Sequence, residues 1–308
     1  MLNRFDRLKF KQLSHFIAVT EAGSISEAAD NLFMPQPALS RSIRDLEEIL
    51  GGVRLFERAR KGVTLTSNGK KFLAYATLVQ SNFETLSSGF VRDEGHTGGL
   101  VRIGMGAYEG YTFLPEIIGR ILNRRPNAQF NFMSGRFNDL IGPLLHGKLD
   151  IIFGPVNSGA LPKGVRSHIV AQSKPSILVR SEHPLARQKK VTLKTLASQE
   201  WLVPVADTLP RRKFDQVFLK EKLQPPTGPV EISPSVLMIA ILRQRNLIGL
   251  VHPQLLSLAA DSGELAELKM TTNPFSWPVQ LTTVDRRHPS PAVDETISLI
   301  KTMFKDQP

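Results

Sequence analysis

Cysteine is absent from the 308-residue sequence, and no long apolar run occurs in it. The lack of cysteine excludes disulfide bonds, thiolate metal sites and cysteine nucleophiles, and it fits a reducing compartment. The longest apolar run, residues 236–242, is far shorter than the roughly 20 residues that span a bilayer. The first residues, MLNRFDRLKFKQL, mix charged and apolar side chains and lack the apolar segment of a secretory leader. We therefore expect a cytoplasmic protein that does not contact a membrane.

Catalytic and metal-binding motifs are also missing. The sequence contains no G-x-S-x-G elbow, no P-loop and no HExxH pair. The seven histidines are scattered, and His183 and His252 each precede a proline, which is typical of turns rather than of metal ligands. The carboxylates of Asp45, Glu47 and Glu48 lie on a predicted exposed helix face and are interpreted as ion-pairing surface. The sequence thus predicts neither an enzyme nor a bound cofactor or metal.

The positive charge of the chain is the first feature that points to a partner. The net charge is +11 and the isoelectric point is about 10.0, which favours an acidic partner such as nucleic acid. Hydrophobic residues at 41% and charged residues at 22% are typical of a globular protein, and the length suggests two or three folded units. Residues 1–92 have a net charge of +4 and the remainder +7. An anionic effector, or chance, explains the excess in the larger part.

Two short helices are predicted near the amino terminus. Residues 9–21 carry apolar side chains at helical spacing, and Gly23 ends this helix. Ser24 and Glu27 have the spacing of a capping box, which starts a second helix. The two adjacent alanines that follow allow another helix to approach closely, as a helix-turn-helix requires.

A third helix, beginning at residue 36, has two contrasting faces. Its apolar stripe steps by four, three and four residues through Leu39, Ile43, Leu46 and Leu50. The opposite side carries short polar and basic residues near the helix start, namely Gln36, Pro37, Ser40, Arg41 and Arg44. Glutamine pairs with adenine, and arginine with guanine or phosphate, so this face is typical of a recognition helix in the major groove. The alternative is that the arginines form only a solvated face.

A basic β-hairpin is predicted directly after these helices. Residues 53–58 and 63–66 are two short strand-like runs on either side of Arg60 and Lys61. Cations at such a tip are attracted to the minor groove or to the phosphate backbone. Three helices followed by a basic-tipped hairpin indicate a winged helix-turn-helix domain.

A long helix follows the hairpin from residue 68. Its apolar residues step by four and three, at Phe72, Ala76, Val79, Phe83, Leu86 and Phe90. This spacing is typical of the stripe between paired helices, although packing on its own domain is the alternative. The glycine-rich residues 89–99 are interpreted as a linker.

The rest of the chain alternates between strands and helices. The first predicted set lies at residues 100–105, 113–123, 128–133, 139–146 and 149–153. A similar set follows, and one more strand and helix come after it. This rhythm predicts parallel sheets covered by helices. Ligands bind beyond the carboxyl ends of such strands, and two lobes of this kind form a cleft.

The stretch AVTEAGSISEAADNLFMPQPALSRSIRDLEEILGGVRLFERARKGVTLTSNG closely resembles the amino-terminal signature of the LysR-type transcriptional regulators. The shared features are a G-S-x-S/T-x-A-A turn, a Q-P-A-x-S-R recognition helix, an L-F-x-R run with a basic wing, and L-T-x-x-G. The resemblance implies DNA contacts by the recognition helix and the wing. Two positions depart from the family pattern: Pro35 replaces the usual Ser or Thr cap, and Lys61 replaces the usual wing arginine. The DNA-binding set that we predict is Ser24, Gln36, Pro37, Ser40, Arg41, Arg44, Arg60 and Lys61.

The second part of the chain is similar to the LysR-type effector domain, whose fold resembles a type 2 periplasmic binding protein. V-R-I-G followed by Pro115, H-G-K-L-D-I-I-F-G at 146–154 and H-P-L-A at 183–186 carry this resemblance. The positions that match the family's pocket are Gly106, Ala107, Tyr108, Gly135, Arg136, Ala206, Asp207, Thr208, Ser233 and Ser235. Hydroxyls, helix starts and Arg136 suit a carboxylate. For each position an ordinary loop or capping role is the alternative, and Ser233 and Ser235 are candidates for an N-cap.

The predicted fold class is α/β: a winged helix-turn-helix at 1–66, a dimerising linker helix at 67–92 and a two-lobed effector-binding domain at 93–308. The first lobe is expected at 93–164 with 267–308, and the second at 165–266. The predicted function is that of a LysR-type regulator, in which a small anionic effector modulates sequence-specific promoter binding. Its partners are double-stranded DNA, a small carboxylate, a second or further copies of the chain in a homodimer or homotetramer, and RNA polymerase. The rival interpretations are a solute-binding protein of similar fold and an enzyme on the same fold.

Overall fold

Residues 7–60, 62–90, 99–106, 109–157, 159, 161–233, 235–252, 255, 263–285 and 289–304 are described by the computed structural model. The chain divides into two units, Met1–Glu94 with Leu145–Lys148, and Gly95–Leu144 with Leu149–Pro308. No helix in the described ranges combines the length and the apolar character that a membrane crossing needs.

The amino-terminal unit contains the three helices and the hairpin that the sequence predicts. Its elements are α1 (Phe10–Ala22), α2 (Ile25–Asn31), α3 (Gln36–Ile49), β1 (Phe56–Ala59), β2 (Gly62–Leu65) and α4 (Ser67–Phe90). Helix α1 ends at Gly23, whose φ of 67° is readily adopted by glycine. Ser24 then caps α2, because its hydroxyl accepts a hydrogen bond from the Glu27 amide.

The core of this unit is built by the apolar stripes of its helices. Phe16 and Leu39 are fully buried, together with Leu46 and the adjacent alanines of α2. The Phe16 ring lies 5.1 Å from the Phe56 ring and 5.0 Å from the Phe72 ring, measured between centroids. The aromatic contacts therefore join α1 to both the hairpin and the long helix α4.

The apolar stripe of α4 is divided between two environments. Ala76 is 1% exposed and Phe72 packs beside it in the core of the same unit, so this half of the stripe follows the alternative interpretation. Val79 and Phe83 are 46% and 48% exposed, and the Phe83 ring lies 4.3 Å from that of Phe10. The first part of the stripe is therefore covered within the same unit, whereas Val79 and Phe83 are partly exposed. The side chains of Leu86 and Phe90 lie outside the described residues.

The first lobe of the second unit is a five-stranded sheet with helices. Its elements are β3 (Leu100–Met105), α5 (Glu109–Arg124), β4 (Gln129–Ser134), α6 (Phe137–Leu145), β5 (Ile151–Gly154), β6 (Val165–Ser173), β12 (Trp277–Val284) and α10 (Pro291–Met303). The strand order is β4-β3-β5-β12-β6. Strands β3, β4 and β5 are parallel, whereas β12 runs antiparallel to β5 and β6.

The second lobe repeats this arrangement. Its elements are β7 (Ser176–Arg180), a 3-10 turn (Pro184–Arg187), α7 (Leu193–Ala197), β8 (Leu202–Pro204), α8 (Leu209–Lys220), β9 (Val230–Ile232), α9 (Ser235–Gln244), β10 (Gly249–Val251) and β11 (Leu265–Glu267). Strands β8 and β9 are parallel, and β7 pairs antiparallel with β10 and β11. A bridge between Trp201 and Ile248 joins the two groups. His183 caps the 3-10 turn, which confirms its interpretation as a turn residue.

Two expectations about this unit are wrong. The sheets are mixed rather than parallel, because the returning strand β12 and the strand β7 run against their neighbours. The second lobe also does not begin at residue 165, since residues 165–173 form the edge strand β6 of the first lobe and pair with β12 along its length. The stretch VRSHIVAQS has no continuous apolar run, which is why periodicity alone did not reveal this strand. The chain crosses between the lobes after Ser173 and returns before Trp277.

Candidate nucleic-acid interface and effector cleft

Helix α3 presents its polar side outward. Leu39, Ile43 and Leu46 are buried, so the face opposite to them is directed to solvent. The predicted contact residues on this face are exposed, except for the half-buried Ser40: Gln36, Pro37, Ser40, Arg41 and Arg44. Pro35 precedes the helix and forms no side-chain cap, as its ring implies. The start of α3 is therefore an exposed polar and basic surface.

A hydrogen bond between two side chains joins α3 to α1. The Nδ1 atom of His15 lies 2.8 Å from the Oγ atom of Ser42, and the His15 ring is buried. Burial, followed by the charge of Lys11, lowers the pKa of His15. The lowered pKa favours the neutral form of His15, whose hydrogen bond to Ser42 joins α1 to α3.

The hairpin is attached to the turn between α1 and α2. The Val63 amide donates a hydrogen bond of 2.8 Å to the carbonyl oxygen of Gly23, next to Ser24. The register pairs Ala59 with Gly62, so Arg60, which is exposed, stands at the end of the hairpin; the predicted contact residue Lys61 lies outside the described residues. Ser24 is engaged as the cap of α2 and lies at the base of the hairpin.

Glu47 has a different role from the one predicted. Its Oε1 atom accepts hydrogen bonds from the amides of Leu55 and Phe56, at 2.7 and 3.5 Å. The prediction that Glu47 belongs to an ion-pairing surface is therefore wrong, whereas Asp45 and Glu48 are exposed. The carboxylate therefore connects α3 to the start of the hairpin.

A cleft lies between the two lobes of the second unit. It is bordered by the carboxyl ends of three strands of the first lobe, at Gly106, Gly135 and Gly154. The second lobe contributes residues that follow β8 and β9, including Thr208 and Ser233. Much of the lining is apolar, through Phe137, Leu140, Ile152, Val205, Leu209 and Ile232. The largely apolar lining with a few polar groups, at the carboxyl ends of strands, is typical of a small-molecule site.

Arg136 lies at this cleft but is already paired. Its Nε atom is 2.8 Å from Asp139 Oδ2, and its Nη2 atom is 3.3 Å from Asp139 Oδ1. The hydrogen bond to Arg136 lowers the pKa of Asp139 and raises that of Arg136. An anion that binds Arg136 therefore competes with the Asp139 carboxylate.

Thr208 caps helix α8, in agreement with the alternative interpretation of this position as a capping residue. Its Oγ1 atom accepts from the Arg211 amide at 3.3 Å and donates to the Val205 carbonyl oxygen at 2.7 Å. Asp207 has a φ of 59°, in the left-handed region, and its backbone carbonyl oxygen accepts a hydrogen bond from Asn157. The loop before α8 is thus held in a defined conformation beside the cleft.

The remaining predicted positions divide into two groups. Ser233 lines the cleft, and the Ala206 amide donates to Glu231 Oε2 at 3.2 Å. Ser235 begins α9, but its side chain lies outside the described residues, as do Ala107 and Tyr108 entirely. Among the described residues, no group of three or more His, Cys, Asp or Glu side chains is placed to hold a metal ion.

Asn157 is a cleft residue that the sequence analysis missed. Its Nδ2 atom donates to the Asp207 carbonyl oxygen at 2.9 Å, and Arg212 Nη2 donates to its Oδ1 atom at 3.2 Å. Asn157 follows strand β5 of the first lobe, whereas Asp207 and Arg212 belong to the second. Like Gly106 and Gly135, which were predicted from the family resemblance, Asn157 follows the end of a strand, and this position is the signal that could have identified it.

Two family models match the chain. Residues 10–70 match the model for the bacterial regulatory helix-turn-helix protein, lysR family, and residues 94–305 match the LysR substrate binding domain. The HTH-type transcriptional regulator YdcI of Escherichia coli K12 is 30% identical over 225 residues, which is 73% of each protein.

Solved structures share the fold. CbnR, a LysR family transcriptional regulator, matches with a TM-score of 0.68 and 20% identity over 97% of this chain and 100% of that one. Full-length CbnR complexed with its target DNA matches with a TM-score of 0.57 and 19% identity, over 96% of this chain and 99% of that one. The likeness therefore extends over both units of the chain.

Proposed function

Because this chain belongs to the LysR family of DNA-binding transcriptional regulators, we propose that α3 and the hairpin read promoter DNA under the control of an anionic effector. The observation that carries the DNA-binding part is the exposed polar and basic face at the start of α3, opposite a fully buried stripe. Members of this family are regulators, not enzymes, and the chain combines a helix-turn-helix with an effector-binding domain.

The DNA contacts in this proposal come from two elements. Gln36 and Arg41 read base edges in the major groove, and Arg44 reaches phosphate along the same face of α3. Its Nε atom lies 3.4 Å from the Ser40 carbonyl oxygen, which keeps the guanidinium close to the helix. Pro37 and Ser40 pack between these groups. Arg60 and Lys61 reach the minor groove or the backbone from the hairpin tip, and Ser24 contacts a phosphate at its base.

The effector in this proposal is a small organic acid with an apolar body. Helices α6 and α8 both start at the cleft, and helix starts favour a negative charge. Arg136 pairs with the carboxylate after exchanging partners with Asp139, while Thr208, Ser233 and Ser235 provide hydroxyls. Ala107, Tyr108 and Asp207 complete the proposed set. The apolar residues of the lining then bury the rest of the molecule.

Regulation follows from the two-lobed form of the site. An effector with higher affinity for the closed lobes shifts the population towards closure. In the assembled protein, this shift changes the spacing of the DNA-binding units and hence the bending of the promoter. We propose a homodimer or homotetramer, supported by the exposed Tyr75 and Val79 on α4 and by the exposed Phe132 and Met133 on the edge strand β4. Contact with RNA polymerase and a cytoplasmic location, where chromosomal DNA lies, are parts of the same proposal.

Selection of DNA by the purified protein tests this function. Full-length protein is incubated with fragmented DNA of its own host, and the retained fragments are sequenced, with Arg41→Ala as the matched variant. We expect a few enriched sites with a near-palindromic sequence, and loss of that enrichment in Arg41→Ala. Equal retention of all fragments by the unsubstituted protein would contradict sequence-specific binding, and retention of none would contradict DNA binding itself.

A further inference from the structure

Phe33 occupies an unusual position in the turn between α2 and α3. The Phe33 amide donates to the Asp30 carbonyl oxygen at 3.1 Å, and the Met34 amide donates to the Ala29 carbonyl oxygen at 3.0 Å. These two bonds define a Schellman motif, in which the residue after the cap adopts the left-handed conformation. Phe33 is that residue, with a φ of 52°. Glycine is favoured at this point because a Cβ atom makes the conformation costly.

The same motif ends α8, where a charged residue occupies the left-handed position. Lys222 has a φ of 57°, its amide donates to Leu219, and the Leu223 amide donates to Phe218, both at 3.0 Å. Its charged side chain is exposed, as expected for a position that projects into water. Phe33 instead places an apolar ring there that is 97% exposed, the largest exposed fraction among the large hydrophobic residues of the described part.

The left-handed backbone and the exposure of the ring each cost free energy. Because the ring is almost fully exposed, its packing within the chain offsets neither cost. A large apolar ring gains free energy when a partner covers it. The ring is three residues before Gln36, and Pro35 with a φ of −63° is the stiff connection between them. The exposed residues that follow Phe33 in the sequence include the polar and basic Gln36, Arg41 and Arg44. Such a surface is complementary to nucleic acid, and apolar side chains contact the thymine methyl group in the major groove.

We propose that Phe33 reads a thymine: its ring packs on the C5 methyl group of a base at the border of the site that α3 recognises. This inference rests on the proposed function of α3 as the recognition helix. It adds an apolar contact to the polar contacts of Gln36 and Arg41, and it assigns the exposed, strained residue of the turn to sequence specificity.

Parallel selections from a randomised duplex pool test this assignment. Wild-type and Phe33→Gly proteins are each selected in full length, and we expect one position in each half-site to lose its preference for thymine in the variant. The other positions keep their preferences. On the duplex that the wild type selects, we expect Phe33→Gly to bind about tenfold more weakly.

Deoxyuridine provides a second measurement, since it removes only the methyl group. Replacing the assigned thymine by deoxyuridine should weaken wild-type binding about fourfold, the equivalent of one buried methyl-sized group, and should leave Phe33→Gly unchanged. An equal effect on both proteins, or unaltered selection by Phe33→Gly, would overturn the proposal.

Thermal unfolding of Phe33→Gly shows whether a change in DNA binding comes from loss of the ring or from loss of the fold. Phe33→Gly relieves the left-handed strain, so we expect a melting temperature that is equal to or a few degrees above that of the wild type. Lys222→Gly relieves the same strain in the other unit and should leave DNA binding unchanged.

Arg41→Ala distinguishes failure of the Phe33 assignment alone from failure of the proposed function of α3. If Arg41→Ala also selects the wild-type sequence, or if the wild type selects none, the recognition-helix function itself is wrong and the assignment of Phe33 fails with it.

Discussion

The backbone of Gly62 lies so close to Gly23 that a Cβ atom on Gly62 would stand 2.2 Å from the Gly23 carbonyl oxygen. The φ of Gly62 is 95°, which also favours glycine. With the hydrogen bond from Val63 to Gly23, this contact joins the hairpin to the turn before α2. The glycine thus determines where the cations of the hairpin tip stand relative to α3.

Gly62→Ala tests this connection. We expect the substitution to lower the free energy of unfolding by about 2 kcal/mol or more, because it adds both backbone strain and a clash with backbone. DNA affinity should fall as well, since the tip is displaced. Gly52→Ala is the matched control: Gly52 has a φ of 77° but open space around its Cβ position, so only strain of about 1 kcal/mol is expected. Urea unfolding of both variants measures these losses of free energy. Equal losses would show that the close approach of Gly62 to Gly23 does not contribute to stability.

Arg41→Ala and Arg136→Ala separate the two proposed sites. We expect Arg41→Ala to weaken specific DNA binding by about 1–3 kcal/mol, because a base or phosphate contact is lost. Arg136→Ala should keep the DNA affinity of the effector-free protein but reduce its response to small carboxylates. Fluorescence anisotropy with a selected duplex measures both properties. The same loss of DNA binding in both variants would mean that the sites are assigned to the wrong units.

The pH dependence of stability has a predicted sign. Burial lowers the pKa of His252 to about 4, and its Nδ1 atom has no hydrogen-bond partner among the described residues. In the unfolded chain His252 has its ordinary pKa of 6.5 and binds a proton as the pH falls below that value, whereas in the folded chain it binds one only at about pH 4. The stability that the neutral ring contributes is therefore fully present above pH 6.5. It is lost as the pH falls towards 4, by at most about 3 kcal/mol. The pKa of His15 is lowered too, so the amino-terminal unit changes in the same direction.

Urea unfolding between about pH 8 and about pH 4 measures this loss in the wild type and in His252→Gln. The glutamine variant should show a smaller decrease in stability across the interval, whatever its stability at neutral pH. The same decrease in both proteins would assign the pH dependence to other groups.

Local patterns were sufficient to predict α3 and its two faces. The spacing of Leu39, Ile43 and Leu46 depends only on the period of the helix, and the structure buries all three. Glu47 was misinterpreted because its partners, the amides of Leu55 and Phe56, belong to another element that folds back on the helix. A helical pattern shows which residues face outward but not what stands opposite them.

The cleft could be placed but not fully described from the sequence. Gly106, Gly135 and Ser233 follow strand ends, and strand order alone brings such residues to one edge of a sheet. The pairing of Arg136 with Asp139 and the bridge made by Asn157 depend on side-chain conformations, which no residue pattern contains. The polar edge strand β6 was missed for a related reason, since its partner β12 is more than 100 residues away in the sequence.

Asn157→Ala is expected to loosen the contact between the lobes. The substitution removes a hydrogen bond to the Asp207 carbonyl oxygen and one from Arg212, each of which contributes about 1 kcal/mol. Amides in residues 204–212 should therefore exchange with deuterium about tenfold faster, because the loop opens more often. Asn273→Ala is the matched control, since Asn273 also makes two hydrogen bonds, to Pro175 and Phe275, but away from this loop. Unchanged exchange in Asn157→Ala would show that the lobes are held by their apolar lining, and effector-driven closure would then have to act there.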